Sequence, residues 1–433
     1  MKLGFINFGG PSGQISLMHE ELVERRRWIG EGRFLHALSF CMLLPGPEAQ
    51  QLAIYVGWLL HKVRGGVVAG VAFVLPSCFL MLVLSWTYAV HGDVTWVAGI
   101  FAGLSAGVLG MVFAALLRIG GRTLTSGVAT AIAVAAFVGI FLLGTPFPMV
   151  IFGAGLLGYV TSRVRPGWIH VPGELSAGDE GAAIDDAAVA APHTQPSVRR
   201  VLTTLVVGMA VWWLPLLGVI AWRGPGDTIT QEALFFSTAA IVTFGGAYAV
   251  LAYVNQAAVY RFGWMTPSDV VAGLGLAEST PGPLIMVTQF VGFLAAYRNP
   301  GDLAPVAAGV IGSAVTVWAV FAPCFLLVFL GAPYVERLRA NRQLGAALGA
   351  ITGAVVGVIA SLALTFAVNV LFSSVTLRTP FGAAVPVPDP ATLKPFTLVV
   401  AVASFVAIRR FRLNPAIVAL ACGAAGLVHA LVT

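Results

Sequence analysis

One pattern of helix-breaking residues occurs twice in this chain, at equal spacing. The first copy has Phe8-Gly9-Gly10, Trp28 and Pro45-Gly46-Pro47, and the second has Phe244-Gly245-Gly246, Trp264 and Pro281-Gly282-Pro283. Each member of the second copy lies 236 positions after its counterpart. Because proline lacks a backbone donor and glycine accepts unusual backbone angles, a helix does not run through Pro-Gly-Pro without interruption. The pattern therefore predicts two internal repeats, each built around broken helices.

The composition places this duplication in a membrane. Apolar residues make up 58% of the chain and charged residues 10%, whereas soluble proteins carry about 25% charged residues. Several apolar stretches reach the roughly 20 residues that cross a bilayer as a helix, and the short alternation of a β-barrel is absent. We predict an all-α polytopic membrane protein with two inverted-topology repeats, joined by one linking transmembrane span.

The chain divides into three parts. We expect an N-terminal repeat at 1–165, a polar cytoplasmic linker with the linking span at 166–231, and an inverted C-terminal repeat at 232–433. Each repeat has two broken segments followed by four plain ones. The apolar span at 198–221 has no counterpart in the first repeat, so it would turn the second copy over.

The placement of Lys and Arg supports inversion. The short loops at 91–93 and 144–148 contain neither, whereas their counterparts contain Arg337, Arg339 and Arg342, then Arg409, Arg410 and Arg412. Since short cytoplasmic loops carry positive charge, the N-terminus is predicted to be cytoplasmic and the C-terminus outside. Whether the broken segments cross the membrane or re-enter stays open, although the arginines at 25–27 favour re-entry.

Other residue patterns exclude several classes of protein. The four cysteines are scattered, and no zinc spacing, Walker A sequence or nucleophile elbow is present. We therefore expect no metal, no cofactor, no nucleic-acid partner and no enzyme activity. No cleavable signal peptide is expected, because Met1 leads straight into the first motif without a charged n-region.

The helix breaks are the candidate substrate sites. A half-helix that begins inside the membrane presents unpaired N–H groups and a positive dipole end, which together suit an anion. A pair of plain packing kinks is the alternative. The candidate binding residues are the breaks, the glycine pairs and the polar groups beside them: Asn7, Gly9, Gly10, Pro45, Gly46, Pro47, Gln50, Gln51, Thr243, Gly245, Gly246, Thr280, Pro281, Gly282, Pro283 and Gln289.

Ionisable residues inside apolar segments are costly and often functional. Glu48 follows the first break directly and Glu278 lies three residues before the second, so both are proton-coupling candidates. Glu48 could instead be a helix cap. Trp28 and Trp264 are predicted to be interfacial anchors, and Arg25 to Arg27 to be topology anchors or an anion funnel.

Three sequence runs resemble the chromate ion transporter (CHR) family. They are Asn7 to Gln14, Glu21 to Trp28 and Leu43 to Gln51, and Thr243 to Gly246 with Pro281 to Pro283 is similar to that family's C-terminal domain. The resemblance implies proton-motive-force-driven efflux of chromate across the bacterial inner membrane and chromate resistance. The second copy departs from the first where Ala247 replaces Pro11 and Leu284 replaces Glu48.

The residues alone leave other functions open. A carrier of sulfate or another oxyanion fits the same half-helix ends, because sulfate has the shape and charge of chromate. An anion channel or a non-transporting membrane scaffold is a further alternative. The expected partners are a chromate-like or sulfate-like oxyanion, protons and the lipid bilayer, with a homodimer as the candidate assembly.

Overall fold

The computed structural model describes Gly4 and residues 10–164, 197–244, 247–334, 342–378 and 385–433. These residues contain fifteen α-helices. In chain order they are α1 (Gly10–His19), α2 (Glu31–Leu43), α3 (Glu48–His91), α4 (Thr95–Thr123), α5 (Gly127–Phe141), α6 (Phe147–Val164), α7 (Val198–Arg223), α8 (Thr228–Val242), α9 (Ala247–Asn255), α10 (Pro267–Ser279), α11 (Val287–Arg298), α12 (Pro305–Gly331), α13 (Arg342–Leu371), α14 (Pro395–Arg409) and α15 (Pro415–Val432).

Seven helices in the described part of the chain are long and apolar enough to cross a membrane. They are α3, α4, α6, α7, α12, α13 and α15. Helices α5, α8, α11 and α14 are apolar but shorter. The prediction of an all-α polytopic membrane protein is confirmed by this architecture.

Helix α3 is a hairpin rather than one straight rod. Its backbone leaves the helical conformation at His61 and Lys62, where Lys62 has φ +57°. Beyond that point the chain folds back on itself, since a Cβ added at Gly57 would lie 2.5 Å from the carbonyl oxygen of Gly65. The first arm of α3 therefore completes the first broken segment, and the second arm begins the plain spans.

The backbone around the two sequence motifs is the same over many residues. Residues 20–25 and 256–261 each form a π-helical turn, and helices α2 and α10 begin and end 236 positions apart. In both copies the backbone N–H of the tryptophan, Trp28 or Trp264, donates at 2.8 Å to the backbone carbonyl six residues earlier. The repeated sequence thus directs a repeated local structure.

The two halves of the chain are interleaved. Helix α4 of the first half packs against α14 and α15, while α13 of the second half packs against α5 and α6. Small residues permit these contacts: a Cβ at Gly103 would lie 2.1 Å from the Cys422 carbonyl oxygen, and one at Gly357 would lie 1.9 Å from that of Ala133. Close approach at small residues is the usual basis of helix association in lipid. Each half therefore depends on the other for its packing.

Two features differ from the sequence expectations. The segment between α13 and α14 carries a two-stranded antiparallel hairpin, β1 (Val375–Arg378) with β2 (Val385–Pro388). The prediction of an interfacial anchor is wrong for Trp264, which is 3% exposed. It stacks on Phe262 with ring centroids 4.3 Å apart. Phe235 of α8 packs edge-on against the same ring, and these contacts bury it. Trp28 is 42% exposed, with the Arg26 guanidinium over its ring.

Candidate functional site

Both Pro-Gly-Pro sequences interrupt a helix in the same way. Gly46 and Gly282 have φ values of +112° and +123°, a region that residues with a Cβ rarely adopt. Helix α2 ends before the first break and α3 begins directly after it, and α10 ends before the second break. All six residues of the two breaks are buried.

The first break is held by residues from the second half of the chain. The Gly46 N–H donates to the Thr243 carbonyl at 3.1 Å. A Cβ at Gly46 would lie 3.1 Å from the Cys324 Sγ, so α12 covers this face of the break. Within the first half, the Gln51 Nε2 donates to the Pro45 carbonyl at 2.6 Å and satisfies an acceptor that the interrupted helix leaves free.

The second break is held by residues from the first half. The Gln14 Nε2 of α1 donates to the Gly282 carbonyl. A Cβ at Gly282 would lie 2.4 Å from that of Ser77, in the second arm of α3. The Thr280 Oγ1 lies 3.6 Å from the Met81 Sδ, one turn further along the same arm.

The docking of the breaks is therefore reciprocal. Gly46 lies against Cys324, which follows Pro323 inside α12, and Gly282 lies against Ser77, which follows Pro76 inside α3. Each glycine faces the residue after a helix-interior proline in the other half. Both breaks therefore pack at the contact between the two halves.

The two acidic candidates lie in different surroundings. Glu278 is 4% exposed, one residue before the end of α10, and its Oε1 accepts a hydrogen bond from the Tyr248 hydroxyl at 2.6 Å. Arg118 of α4 lies within electrostatic range of this pair. Glu48 is half-buried as the first residue of α3, and its side chain accepts no hydrogen bond from any described residue.

The three glutamines beside the breaks are buried. The Gln289 Nε2 donates to the Cys78 carbonyl at 2.8 Å and thereby ties α11 to α3, much as Gln51 ties the first break. Gln50 lines an apolar groove of about 620 Å³ between α3, α7 and α12. The Oε1 atoms of all three side chains have no partner among the described residues.

The remaining predicted residues divide into two groups. Gly10 begins α1, and the Thr243 hydroxyl donates to the Ala239 carbonyl inside α8. Four predicted residues lie outside the described part of the chain: Asn7, Gly9, Gly245 and Gly246.

Sequence reasoning missed Glu232, a third acid in the protein interior. Its side chain is fully buried on α8, and a Cβ at Gly312 of α12 would lie 2.6 Å from its Oε2. Neither carboxyl oxygen has a hydrogen-bond partner within the described ranges. The available signal was an ionisable residue in an apolar segment, but Glu232 lies outside the duplicated motif.

The structure holds the breaks closed. Their glycines contact side chains of the opposite half at distances that leave no room for a bound ion between them.

Comparison with known proteins agrees with this architecture. The profile of the chromate transporter family matches residues 1–159 and 230–427. A chromate transport protein of Pseudomonas aeruginosa is 29% identical, over 80% of this chain and 74% of its own length. That of Cupriavidus metallidurans is 28% identical over 78% and 73%, and a probable chromate transport protein of Synechococcus elongatus 27% over 79% and 76%. No solved structure matches the chain. With both halves matched, the chain belongs to the chromate transporter family.

Proposed function

We propose that this protein is a secondary transporter that exports chromate from the cytoplasm and confers chromate resistance. The observation that carries the proposal is the pair of buried Pro-Gly-Pro breaks, each docked on the opposite half, in a member of the chromate transporter family. Chromate is a tetrahedral dianion. Several hydrogen-bond donors that point toward one place can bind its oxygens without a separate cation for each oxygen.

The first break supplies such donors. The N–H groups at the start of α3, those of Glu48, Ala49 and Gln50, have no acceptor within the helix, as at any helix N-terminus. The helix dipole adds about half a positive charge at this end. The second break offers the corresponding amides of Leu284 and Ile285, the first two residues of a short 3₁₀ turn. We assign the oxyanion to these two half-helix ends.

The membrane potential supplies the driving force for export. Moving one charge through 100 mV is worth about 2.3 kcal/mol, so a dianion leaving a negative cytoplasm gains about 4.6 kcal/mol. At equilibrium this corresponds to roughly a 10³-fold gradient of chromate. The electrical part of the proton motive force is therefore sufficient for efflux.

Protons act on the same process through carboxyl groups. An ionised Glu48 would compete with an oxyanion for the amides at the start of α3. Glu278, bonded to Tyr248 beside the second break, is the more enclosed of the two candidates. We propose that proton binding at these residues is linked to anion binding.

The membrane arrangement completes the proposal. We place the protein in the bacterial inner membrane as a multi-pass protein, with the N-terminus cytoplasmic and the C-terminus periplasmic. The parts are the repeat at 1–165, the linker and linking span at 166–231, and the inverted repeat at 232–433. Helix α7 fits the linking role, since it is largely exposed along its length.

Chromate uptake into everted membrane vesicles tests the function. The lumen of respiring everted vesicles is positive and acidic, so we expect chromate to accumulate there. Valinomycin with potassium should abolish accumulation by collapsing the potential, and nigericin should report the contribution of the pH gradient. Net chromate flux down its own concentration gradient that is unchanged after both gradients are collapsed would contradict the proposal and favour a channel. Stronger inhibition by sulfate than by unlabelled chromate would assign the site to sulfate.

A further inference from the structure

A basic cavity lies apart from the two breaks. Its volume is about 740 Å³, and it is formed by the C-terminal part of α4, the turn between α14 and α15, and Gly13 of α1. Four arginines line it: Arg118, Arg122, Arg409 and Arg412. No acidic side chain belongs to its lining in the described part of the chain.

The charges of these four arginines are unbalanced. Several arginines elsewhere pair with acids, as Arg25 does with Glu20 at 2.9 Å and Arg298 with Asp269 at 2.8 Å. None of the four cavity arginines has an ion-pair or side-chain hydrogen-bond partner among the residues described. All four arginines are exposed, so water and salt weaken the repulsion between their guanidinium groups, and an anion between them relieves what remains.

Topology and helix dipoles explain only part of this arrangement. Arginines at helix C-termini complement the dipole and mark the cytoplasmic side, but neither role requires a shared cavity. Arg412 also adopts φ +53°, a left-handed conformation that costs a residue with a Cβ about 1–2 kcal/mol. Glycine would avoid this cost, so the backbone alone does not favour arginine at this position.

The cavity adjoins the second break. Gly13 in its wall precedes Gln14, whose side chain donates to the Gly282 carbonyl. Arg118 in its wall lies within electrostatic range of Glu278. One side of the cavity is therefore formed by residues that contact or influence the break and its acid.

We propose that this cavity is a cytoplasmic vestibule that binds a tetrahedral oxyanion before it reaches the second break. Guanidinium groups bind such anions through paired N–H donors. The volume exceeds that of one dianion, so the vestibule holds a hydrated ion and raises its local concentration. This inference rests on the proposed function for its role in transport, whereas anion binding by the cavity stands without it. A phosphate headgroup of an anionic lipid has the same chemistry, and the experiment separates the two sources.

Initial rates of chromate uptake in everted vesicles provide the first test. The double variant Arg409→Gln/Arg412→Gln should lower kcat/KM about tenfold or more through KM and weaken its dependence on ionic strength, because electrostatic concentration of the ion is lost. The variant Arg409→Lys/Arg412→Lys keeps the charge and the topology. Its KM should lie between that of the double glutamine variant and that of the unchanged protein. Arg199→Gln, at an exposed arginine at the start of α7, is the matched control and should leave KM unchanged. Unchanged KM and salt dependence in the double glutamine variant would overturn the proposal.

Direct binding keeps this test independent of transport. The full-length protein is purified into nanodiscs of phosphatidylcholine, and chromate binding is measured with and without 20% phosphatidylglycerol. We expect Arg118→Gln and the double glutamine variant to weaken chromate binding in phosphatidylcholine alone, at an unfolding temperature equal to that of the unchanged protein. If these variants lose only phosphatidylglycerol binding, the cavity is a lipid site and the proposal is overturned. If the unchanged protein binds chromate through these arginines but transports none, the proposed function fails and the vestibule stands.

Discussion

The two Pro-Gly-Pro breaks share a backbone but differ in the side chains around them. Glu48 follows the first break, is half-buried and has no described hydrogen-bond partner, whereas Leu284 occupies the equivalent position after the second. Glu278 precedes the second break and is held by Tyr248, and its equivalent before the first break is Met42, which is 44% exposed. The acid has thus changed sides between the copies.

This difference separates two roles within one duplicated structure. The first break keeps a half-buried acid at a helix N-terminus, the end whose dipole favours an anion. The second break keeps an enclosed acid at a helix C-terminus, which does not bind anions. We infer that anion binding depends more on the first break, and that the second depends more on its packing and on Glu278.

The largest expected effect is that of Gly282→Ala. The added Cβ would lie 2.2 Å from the Ser77 Oγ, and the residue would keep a φ of +123°. Overpacking and backbone strain together should lower the stability by roughly 3 kcal/mol or more. Gly46→Ala should cost less, because the nearest atoms lie at 3.1 Å and one belongs to a flexible glutamine. Thermal unfolding of purified protein measures both. Gly153→Ala on open α6 surface is the control, and equal losses at the two breaks would contradict the difference.

The hydrogen bond at the second break gives the next effect. Tyr248→Phe removes the donor to the buried Glu278 carboxyl, and we expect a loss of about 1–3 kcal/mol from the unsatisfied acceptor. Tyr260→Phe, at a half-exposed tyrosine without a described partner, should change little. Denaturant titration in detergent compares the two variants. An equal response would show that the Tyr248 contact contributes nothing.

Neutralising each acid sharpens the contrast in function. Glu48→Gln should alter the KM for chromate and leave stability within about 1 kcal/mol, because the side chain is half-buried and unpaired. Glu278→Gln should leave KM closer to that of the unchanged protein and remove the response of uptake to the pH gradient. Vesicle uptake with nigericin separates these outcomes. If Glu278→Gln instead altered the KM and Glu48→Gln removed the response to the pH gradient, the proposed roles of the two breaks would have to be exchanged.

The smallest expected effect comes from exchanging the residues that face the two glycines. Ser77→Cys combined with Cys324→Ser exchanges the two side chains and keeps their summed size, and we expect a change in stability of less than about 1 kcal/mol. The unfolding temperature and uptake rate of the double variant measure this. A large loss would mean that the Ser77 hydroxyl, which donates to the Val74 carbonyl, is specific to the second break.

Much of the fold was predictable because membrane helices leave a strong apolar signal. The α7 span at 198–221 and the helix breaks follow from apolar length and from Pro-Gly-Pro chemistry. The contacts of the breaks were not predictable, since Gln14, Ser77 and Cys324 meet them across the interleaved halves. No local pattern encodes such pairing.

Individual site residues show the same limit. Glu278 was recognised because a charge in an apolar segment is conspicuous, but its partner Tyr248 lies 30 residues away on another helix. The basic cavity escaped notice because its arginines come from the ends of α4 and α14 and the turn after α14, which are distant in sequence, and because they resemble ordinary topology anchors. The burial of Trp264 depends on Phe235 of α8, which sequence spacing does not reveal.

The central claim is that the oxyanion binds at the half-helix ends of the two breaks. Anomalous diffraction at the chromium absorption edge, from crystals of the full chain grown with chromate, tests this most directly. We expect a chromium peak whose chromate oxygens lie within hydrogen-bond distance of the amides of residues 48–50 or 284–285. Peaks only at other positions, in protein that transports chromate, would contradict it.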